Sequence, residues 1–479
     1  MQILHVGKGV LGGLLLGSIV SLAPNGTRAE TLESVLKNTY LGNPEINAER
    51  AKLRATDEEN PKARSGYRPK VNFNADITSQ DVDTKPPLAT DGRRRTGGYT
   101  VGLVQPIYRG MPTINSIRKA DADIYAGRED LRSVEQRIFL NAVTAYVDVI
   151  RDRAILRLRR SNVGVIAEQK RATNDRFKVG EVTKTDVAQA RARHSGAISE
   201  LNFAQAQLKT SRAVFEQIIG LNPNGLRAPR AIVRYLPRSL KGSLKRGMDE
   251  HPSILAANYR EIAATHTVHV IRGEFAPEIN VEGSYTDRFH PSRAIDRQRT
   301  GIIKGTLSMP FYSGGSISAR VRQAKQVVLQ RRQDLQTAKR LVRAEVISGW
   351  GQVVSIRAKL SADRAQVSAN RTALEGVREE EKVGQRTVLN VLDAQQELLD
   401  AQVTLAITRR DLVVARYLLL AATGRLSVVE LGLKVDRYEP KRHFDRVERK
   451  WFGTRVEEYN YDDERRALMN DRYFPARFK

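Results

Sequence analysis

Residues 383–395 read Val383-Gly384-Gln385-Arg386-Thr387-Val388-Leu389-Asn390-Val391-Leu392-Asp393-Ala394-Gln395. The Val-Gly pair punctuates a stretch with no proline between Pro310 and Pro440. A proline inside a helix costs about 3 kcal/mol, so such a gap permits very long helices. Val383-Gly384 then reads as the turn between two antiparallel ones. Beyond it, Val391, Leu398, Leu405, Leu412 and Leu419 recur every seven residues, with Ala394, Ala401, Thr408, Ala415 and Ala422 three places later. Apolar seams at a 3.5-residue period drive left-handed coiled-coil packing, and alanine on one seam lets the helices approach closely.

The same plan occurs earlier in the chain. Val179-Gly180 interrupts a second proline-free stretch, between Pro112 and Pro223, and Val182-Thr183-Lys184-Thr185-Asp186-Val187 follows it. Leu201, Leu208 and Phe215 then face Ala190, Ala197, Ala204 and Ser211, with His194 breaking the apolar row. From Pro112 to the turn is about 67 residues, roughly 100 Å of helix at 1.5 Å per residue. At an offset of 204, Pro106, Tyr108, Gly110, Val179-Gly180, Thr183, Leu208 and Gly220 meet Pro310, Tyr312, Gly314, Val383-Gly384, Thr387, Leu412 and Gly424. Nearer the N-terminus the offset is 208 and pairs Leu36-Lys37 with Leu244-Lys245, Pro44 with Pro252, Pro69 with Pro277 and Asn72 with Asn280. One four-residue difference in loop length reconciles the two registers, so the chain is an internal duplication.

Each half opens with a short helix capped by Thr31 or Ser239, broken at Asn43-Pro44 or His251-Pro252. An alternating strand follows. Val71, Phe73, Ala75 and Ile77 oppose Asn72, Asn74, Asp76 and Thr78, and Ile279, Val281 and Tyr285 oppose Asn280, Glu282, Ser284 and Thr286. An Arg-bearing segment (Arg93, Arg94, Arg95; Arg293, Arg297, Arg299) reads as the loop to a return strand that ends at Pro106 or Pro310. Such alternation suits a barrel wall between lipid and water. Four strands cannot close, and open edges in hydrocarbon are costly, so a membrane reading requires oligomerisation. A small soluble sheet capping a coiled-coil rod is the competing reading.

Composition excludes much else. Without cysteine there is no disulfide or thiolate metal site. The net charge of +26 is spread along helices among acidic residues, with no zinc-finger or aromatic-basic module, so nucleic acid is not the expected partner. Lys8, the apolar run Gly9 to Ala23 and Thr27-Arg28-Ala29 read as a cleavable secretory signal that leaves Glu30 first. No enzyme signature emerges. Ser313-Gly314-Gly315-Ser316 lacks the lysine of a phosphate loop, His266 and His269 lack further metal ligands, and Glu379, Glu380 and Glu381 sit on a helix. No cofactor is expected.

Gly66-Tyr67-Arg68-Pro69, Gln105-Pro106-Ile107-Tyr108, Met309-Pro310-Phe311-Tyr312-Ser313-Gly314-Gly315 and the 383–395 motif, set in the two-repeat plan, resemble the TolC family of outer-membrane export proteins over roughly residues 30 to 430. The resemblance implies a mainly α chain with a membrane β-barrel part, closed as a homotrimer of twelve strands and twelve tunnel helices. It implies an outer-membrane channel for efflux or type I secretion, embedded in outer-membrane lipid. Its implied partners are a periplasmic adaptor and an inner-membrane ABC or proton-driven transporter. A non-channel periplasmic adaptor or envelope spacer is the alternative.

By motif position, Thr185 and Asp186 match link partners at the closed tunnel end, Arg386 the basic partner and Asp393 an inner ring of aspartates. Asn390 replaces an outer-ring aspartate, and Glu381 a linking tyrosine. An Arg386–Asp186 link is therefore expected, with Glu381 competing for the arginine. The turns at Val179, Gly180, Val383 and Gly384 are the expected adaptor-docking surface.

The implied division is a leader (1–29), a first repeat (30–225) and a linker (226–238), then a second repeat (239–430) and a charged aromatic tail (431–479). The first repeat has strands near 70–80 and 97–106 and a turn at about 179–183. The second has strands near 278–287 and 301–310 and a turn at about 383–387. The tail, with Trp451, Phe452, Tyr459, Tyr461 and Tyr473, packs outside the tunnel or is disordered.

Overall fold

The computed structural model describes residues 30–83, 85, 92–229, 236–292 and 294–456. The expected leader, Arg293, part of the linker and the tail beyond 456 lie outside them. Helices α1 (Leu32–Gly42), α2 (Pro44–Asp57) and α3 (Glu59–Arg64) lead through a 3-10 turn (Ser65–Tyr67) into β1 (Lys70–Val82) and β2 (Gly92–Tyr108). Then come α4 (Pro112–Lys178) and α5 (Lys184–Ile219). The second half repeats the order: α6 (Leu240–Glu250), α7 (Pro252–Gly273), β3 (Glu278–Ser292), β4 (Ile295–Ser308), α8 (Ser316–Lys382) and α9 (Val388–Ala422), with α10 (Pro440–Val447) after it.

Caps set these boundaries. Thr31 Oγ1 accepts from the Ser34 amide at 3.3 Å, and Ser239 Oγ from Gly242 at 3.1 Å. Asn43 Oδ1 accepts from Glu45 at 2.9 Å, and its counterpart His251 Nδ1 from Ser253 at 3.2 Å. In each case a side chain satisfies an amide that the first helical turn leaves open.

The four strands form one antiparallel sheet in the order β1-β2-β3-β4. The two hairpins join at β2–β3, where Tyr99 lies opposite Asp287. Within the described residues β1 and β4 are edges. The strands run past their expected ends. Arg93 to Arg95 belong to β2, and Arg297 and Arg299 to β4, which corrects the reading of those arginines as loop. Charge hides the period-2 signal, but backbone pairing continues, Gln80 with Arg94 and Asp287 with Arg299.

Helices α4 and α8 are each 67 residues long. Toward its N-terminus α4 lies against α7, where Tyr125 stacks on Tyr259 with centroids 5.3 Å apart. Beyond mid-length it lies against α5 and α9. The main core sits at that changeover: Phe139, Val143 and Tyr146 of α4 meet Leu36 of α1, Phe215 of α5 and Leu420 of α9. From there to the turn, α8 and α9 pack in layers: Val353 with Leu419, Leu360 with Leu405 and Leu412, Leu374 with Val391 and Leu398. Burying each such leucine contributes about 1.5–3 kcal/mol. At the seam position Thr408 the layer is polar. Its hydroxyl donates to Asp363 at 2.6 Å, and Lys359 joins the same carboxylate at 2.9 Å.

The tail makes contacts from Leu433 to Trp451, whereas residues 451–456 are themselves exposed. Leu433 enters the main core, and Tyr438 and Tyr40 flank the Arg50 guanidinium at 5.2 and 4.4 Å. His443 Nδ1 lies 2.9 Å from buried Asp57. Glu448 pairs with Arg64, and Trp451 stacks on Arg68 at 4.9 Å.

Beside Arg50, burial pushes the Glu135 carboxyl from 4.5 up to about 7, against the pull of Arg50 and Arg132. The folded pKa exceeds the unfolded one, so the folded state keeps the extra proton between them. Stability falls as pH rises from about 4.5 through about 7, by on the order of 3 kcal/mol. Glu135→Gln is expected to raise the thermal midpoint at pH 8 but not at pH 4.5. Equal shifts at both pH values would refute the assignment.

Candidate functional site

The end of the molecule remote from the sheet is built from two similar turns. After α4, Gly180 has φ +81 and the Glu181 amide returns to the Arg176 carbonyl at 2.9 Å. After α8, Gly384 has φ +79 and the Gln385 amide returns to Glu380 at 2.9 Å. This closure satisfies carbonyls that the last helical turn leaves open, and its left-handed residue favours glycine. Val179 and Val383, each 71% exposed, stand at the tips.

A capping box starts each returning helix. Asp186 Oδ2 accepts from the Thr183 amide at 2.9 Å, while Thr183 Oγ1 accepts from the Asp186 amide at 3.2 Å. In the second turn Asn390 Oδ1 accepts from the Thr387 amide at 3.0 Å, and the Asn390 amide donates back to Thr387 Oγ1 at 3.4 Å. Asp186 and Asn390 therefore have the same local job, which an amide oxygen performs as a carboxylate does. Thr185 is exposed beside the first box.

Within the single chain the ion pairs at the turns are local or join α4 to α8. Arg386 meets neither Asp186 nor Glu381; its Nε donates to Glu380 Oε2 at 2.8 Å, across its own turn. The reason is local. Asp186 is engaged by its cap, and Glu380 precedes the same tight turn that presents Arg386. Glu381 instead pairs with Arg176 of α4, which also holds Glu181 at 3.1 Å. The hydrogen bonds that Arg176 donates to Glu181 and Glu381 raise the guanidinium pKa further. This triad ties the end of α4 to the end of α8.

Asp393 has a partner too. Arg193 Nη2 of α5 donates to its Oδ1 at 2.6 Å, with both side chains about half exposed. Arg176 and Arg193 were not singled out by the sequence. A signal existed for Arg193: the repeat equivalent of Asp393 is Gln189, and Arg193 lies one helical turn farther along that face. Just above the turns, a groove of about 1010 Å³ opens between α4 and α8, lined by Val165, Glu168, Ala172, Gly376 and Glu379, with Val391 of α9.

His266 and His269 of α7 have ring centroids 6.4 Å apart. No cluster of three metal-ligating side chains occurs among the described residues. Nor is any described helix long and apolar enough to cross a membrane.

The family profile described as "Outer membrane efflux protein" matches residues 35–221 and again residues 245–425. The chain is 38% identical over 449 residues to the outer membrane efflux protein BepC of Brucella suis biovar 1, covering 93% of this chain and 96% of that one. It is 25% identical over 426 residues to the outer membrane protein TolC of Vibrio cholerae serotype O1, covering 85% and 94%. Among solved structures, the Campylobacter jejuni CmeC outer membrane channel superposes with a TM-score of 0.77 at 15% identity, covering 94% of this chain and 98% of that one.

Proposed function

The chain belongs to the outer membrane efflux protein family, and on that premise we propose that it is the outer-membrane exit duct of a trans-envelope export assembly. Three copies close the sheet into a twelve-stranded barrel, and α4, α5, α8 and α9 of each copy form the tunnel beneath it. A periplasmic adaptor seats on the turns at Val179, Gly180, Val383 and Gly384. An inner-membrane ABC or proton-driven transporter supplies the energy.

The observation that carries this reading is the sheet. Its two edges are unpaired among the described residues, and Val71, Phe73, Ile77, Ile303 and Leu307 are all more than 60% exposed on the strands. Apolar rows on an open sheet are costly in water and suit hydrocarbon once further strands close the edges. The test is fractionation with electrophoresis and planar-bilayer recording. Heat-modifiable outer-membrane trimers with stable conductance are expected. A soluble elongated oligomer without conductance would favour the spacer reading.

Thr185, Asp186, Glu381, Arg386, Asn390 and Asp393 lie at or just above the inner aperture in this reading. Asp393 carries the charge of an acidic constriction, and Arg193 moderates it. Carboxylates converging on a narrow axis attract cations. Asp393→Ala is expected to weaken block of single-channel current by a trivalent cation about ten-fold, and Arg193→Gln to strengthen it. Unchanged block in both variants would remove this pair from the ion path.

A further inference from the structure

We propose that the outer rim of the barrel carries two binding sites per chain for the phosphate groups of outer-leaflet lipid, each built on a pair of arginines facing the membrane. The inference rests on the barrel reading above. The side of the sheet that bears Val71, Phe73, Ala75 and Ile77 continues through register partners Leu103, Val101, Tyr99 and Gly97 of β2. It then reaches Ile279, Val281, Tyr285 and Phe289 of β3, and Leu307 and Ile303 of β4. Helices α4 and α8 leave from the Tyr108 and Ser308 ends of the strands, so the hairpin tips are the outward end.

On this same face, eight and ten residues outward from Leu103, stand Arg95 and Arg93. Eight and ten residues outward from Leu307 stand Arg299 and Arg297. At about 3.3 Å per residue and a tilt of about 40°, that places the guanidiniums roughly 20–25 Å above the inner apolar row. This is the height of the apolar band of a barrel, where the outer polar interface begins.

The duplication sharpens the point. Arg93 and Arg95 meet Arg297 and Arg299 at the offset of 204, while the intervening Arg94, on the opposite face, meets Gln298. Both repeats carry the membrane-facing pair, whereas the inward position varies. One aspartate per repeat lies on that face at this level, Asp81 opposite Arg93 and Asp287 opposite Arg299. Asp287 is fully buried. It holds Arg297 with an Nε contact of 2.9 Å and Arg299 at 3.5 Å. Arg297 also lies over the Phe289 ring at 5.1 Å, and Tyr99 stacks toward Phe73 at 6.1 Å. The arginines outnumber the aspartates two to one, and the Arg297 and Arg299 side chains remain 45% and 57% exposed. Aspartate thus orients the guanidiniums and leaves positive charge over. Planar, weakly hydrated guanidiniums above an aromatic and aliphatic belt match a phosphate headgroup attached to acyl chains.

The test measures binding of bisphosphorylated lipid A, and of fully dephosphorylated lipid A with the same acyl chains, to detergent-purified full-length protein by native mass spectrometry. Conductance is recorded on the same preparation. Phosphate-dependent binding is expected, unaffected by millimolar inorganic phosphate. It should fall at least about ten-fold in Arg93→Gln/Arg95→Gln/Arg299→Gln, which leaves the Arg297–Asp287 pair intact. Arg94→Gln/Lys304→Gln, on the other face, should bind as the unsubstituted protein does. Equal binding of the two lipids, full competition by inorganic phosphate, an unaffected triple variant, or equal loss in the inward-facing variant each overturns the proposal. Should the triple variant not assemble, the comparison of the two lipids on the unsubstituted protein decides. A conducting channel without phosphate-dependent binding refutes this inference alone, whereas absence of conductance refutes the duct.

Discussion

Arg176→Ser is expected to raise the resting conductance of the reconstituted channel about ten-fold, whereas Arg386→Ser changes it by less than about two-fold. The difference follows from what each arginine connects. Arg386 and Glu380 flank one turn, so breaking their exposed pair leaves the hairpin shape to the backbone closure and the capping box. An exposed pair of that kind is worth about 0–1 kcal/mol. Arg176 instead spans two coiled coils, and with Glu181 and Glu381 it holds the end of α4 against the end of α8. Hydrogen bonds to charged groups contribute about 1.5–3 kcal/mol, and partial exposure places this contact at the low end. About 1.4 kcal/mol is a ten-fold change in an equilibrium. Glu381→Gln should open the channel in the same direction, and the double variant should add little to either single one. If Arg386→Ser opens the channel and Arg176→Ser does not, the closing contact is one that Arg386 makes to a neighbouring copy.

The contrast between those arginines also marks how far the sequence could be read. Helix length was legible because it depends on absence: no proline breaks α4 or α8, and each ends at its Val-Gly pair. The capping boxes went unread although Thr183 and Asp186 are three residues apart, because motif position drew Asp186 into an inter-helix link instead. The strands were legible where Val71 to Ile77 alternate, and illegible where arginines carry the pairing outward. The Arg176–Glu381 contact joins residues 205 apart. Its existence depends on how two long helices are set side by side, which the seams of α8 and α9 and the mid-length core determine together. His194 shows the same limit. It breaks the apolar row, yet sits half-buried with Nδ1 3.4 Å from Lys170 Nζ, a partner no local pattern announces. Asp393 was singled out by motif position; the repeat register points to the face that bears Arg193, but the ion pair itself depends on how α5 and α9 are placed together.

Gly110→Val is expected to abolish folding of the chain, while Gly314→Val is expected to leave the single chain folded and abolish the trimer. These glycines are repeat equivalents with nearly the same backbone, φ +60 and φ +62. Their surroundings differ. A Cβ at Gly110 would stand 2.2 Å from the Ala276 Cβ and 2.9 Å from the Gly273 carbonyl oxygen, whereas one at Gly314 would meet nothing within 4 Å. The left-handed backbone alone costs a β-branched residue about 1–2 kcal/mol at either site. At Gly110 the added methyls must also displace the backbone linking α7 to β3, at the join between the two halves. In the closed barrel, β4 of one copy would pair with β1 of the next as β2 pairs with β3 within the chain. Gly314 would then meet the Ser65–Arg68 segment of the next copy, the repeat equivalent of Gly273–Ala276. The two substitutions therefore separate folding from closure. Circular dichroism and protease resistance report the first, and the yield of heat-modifiable trimer the second. A drop in trimer of at least about ten-fold for Gly314→Val, with native helical content kept, is the expected result. Normal trimers from Gly314→Val would mean that copies do not close by continuing the β2–β3 geometry across β4 and β1.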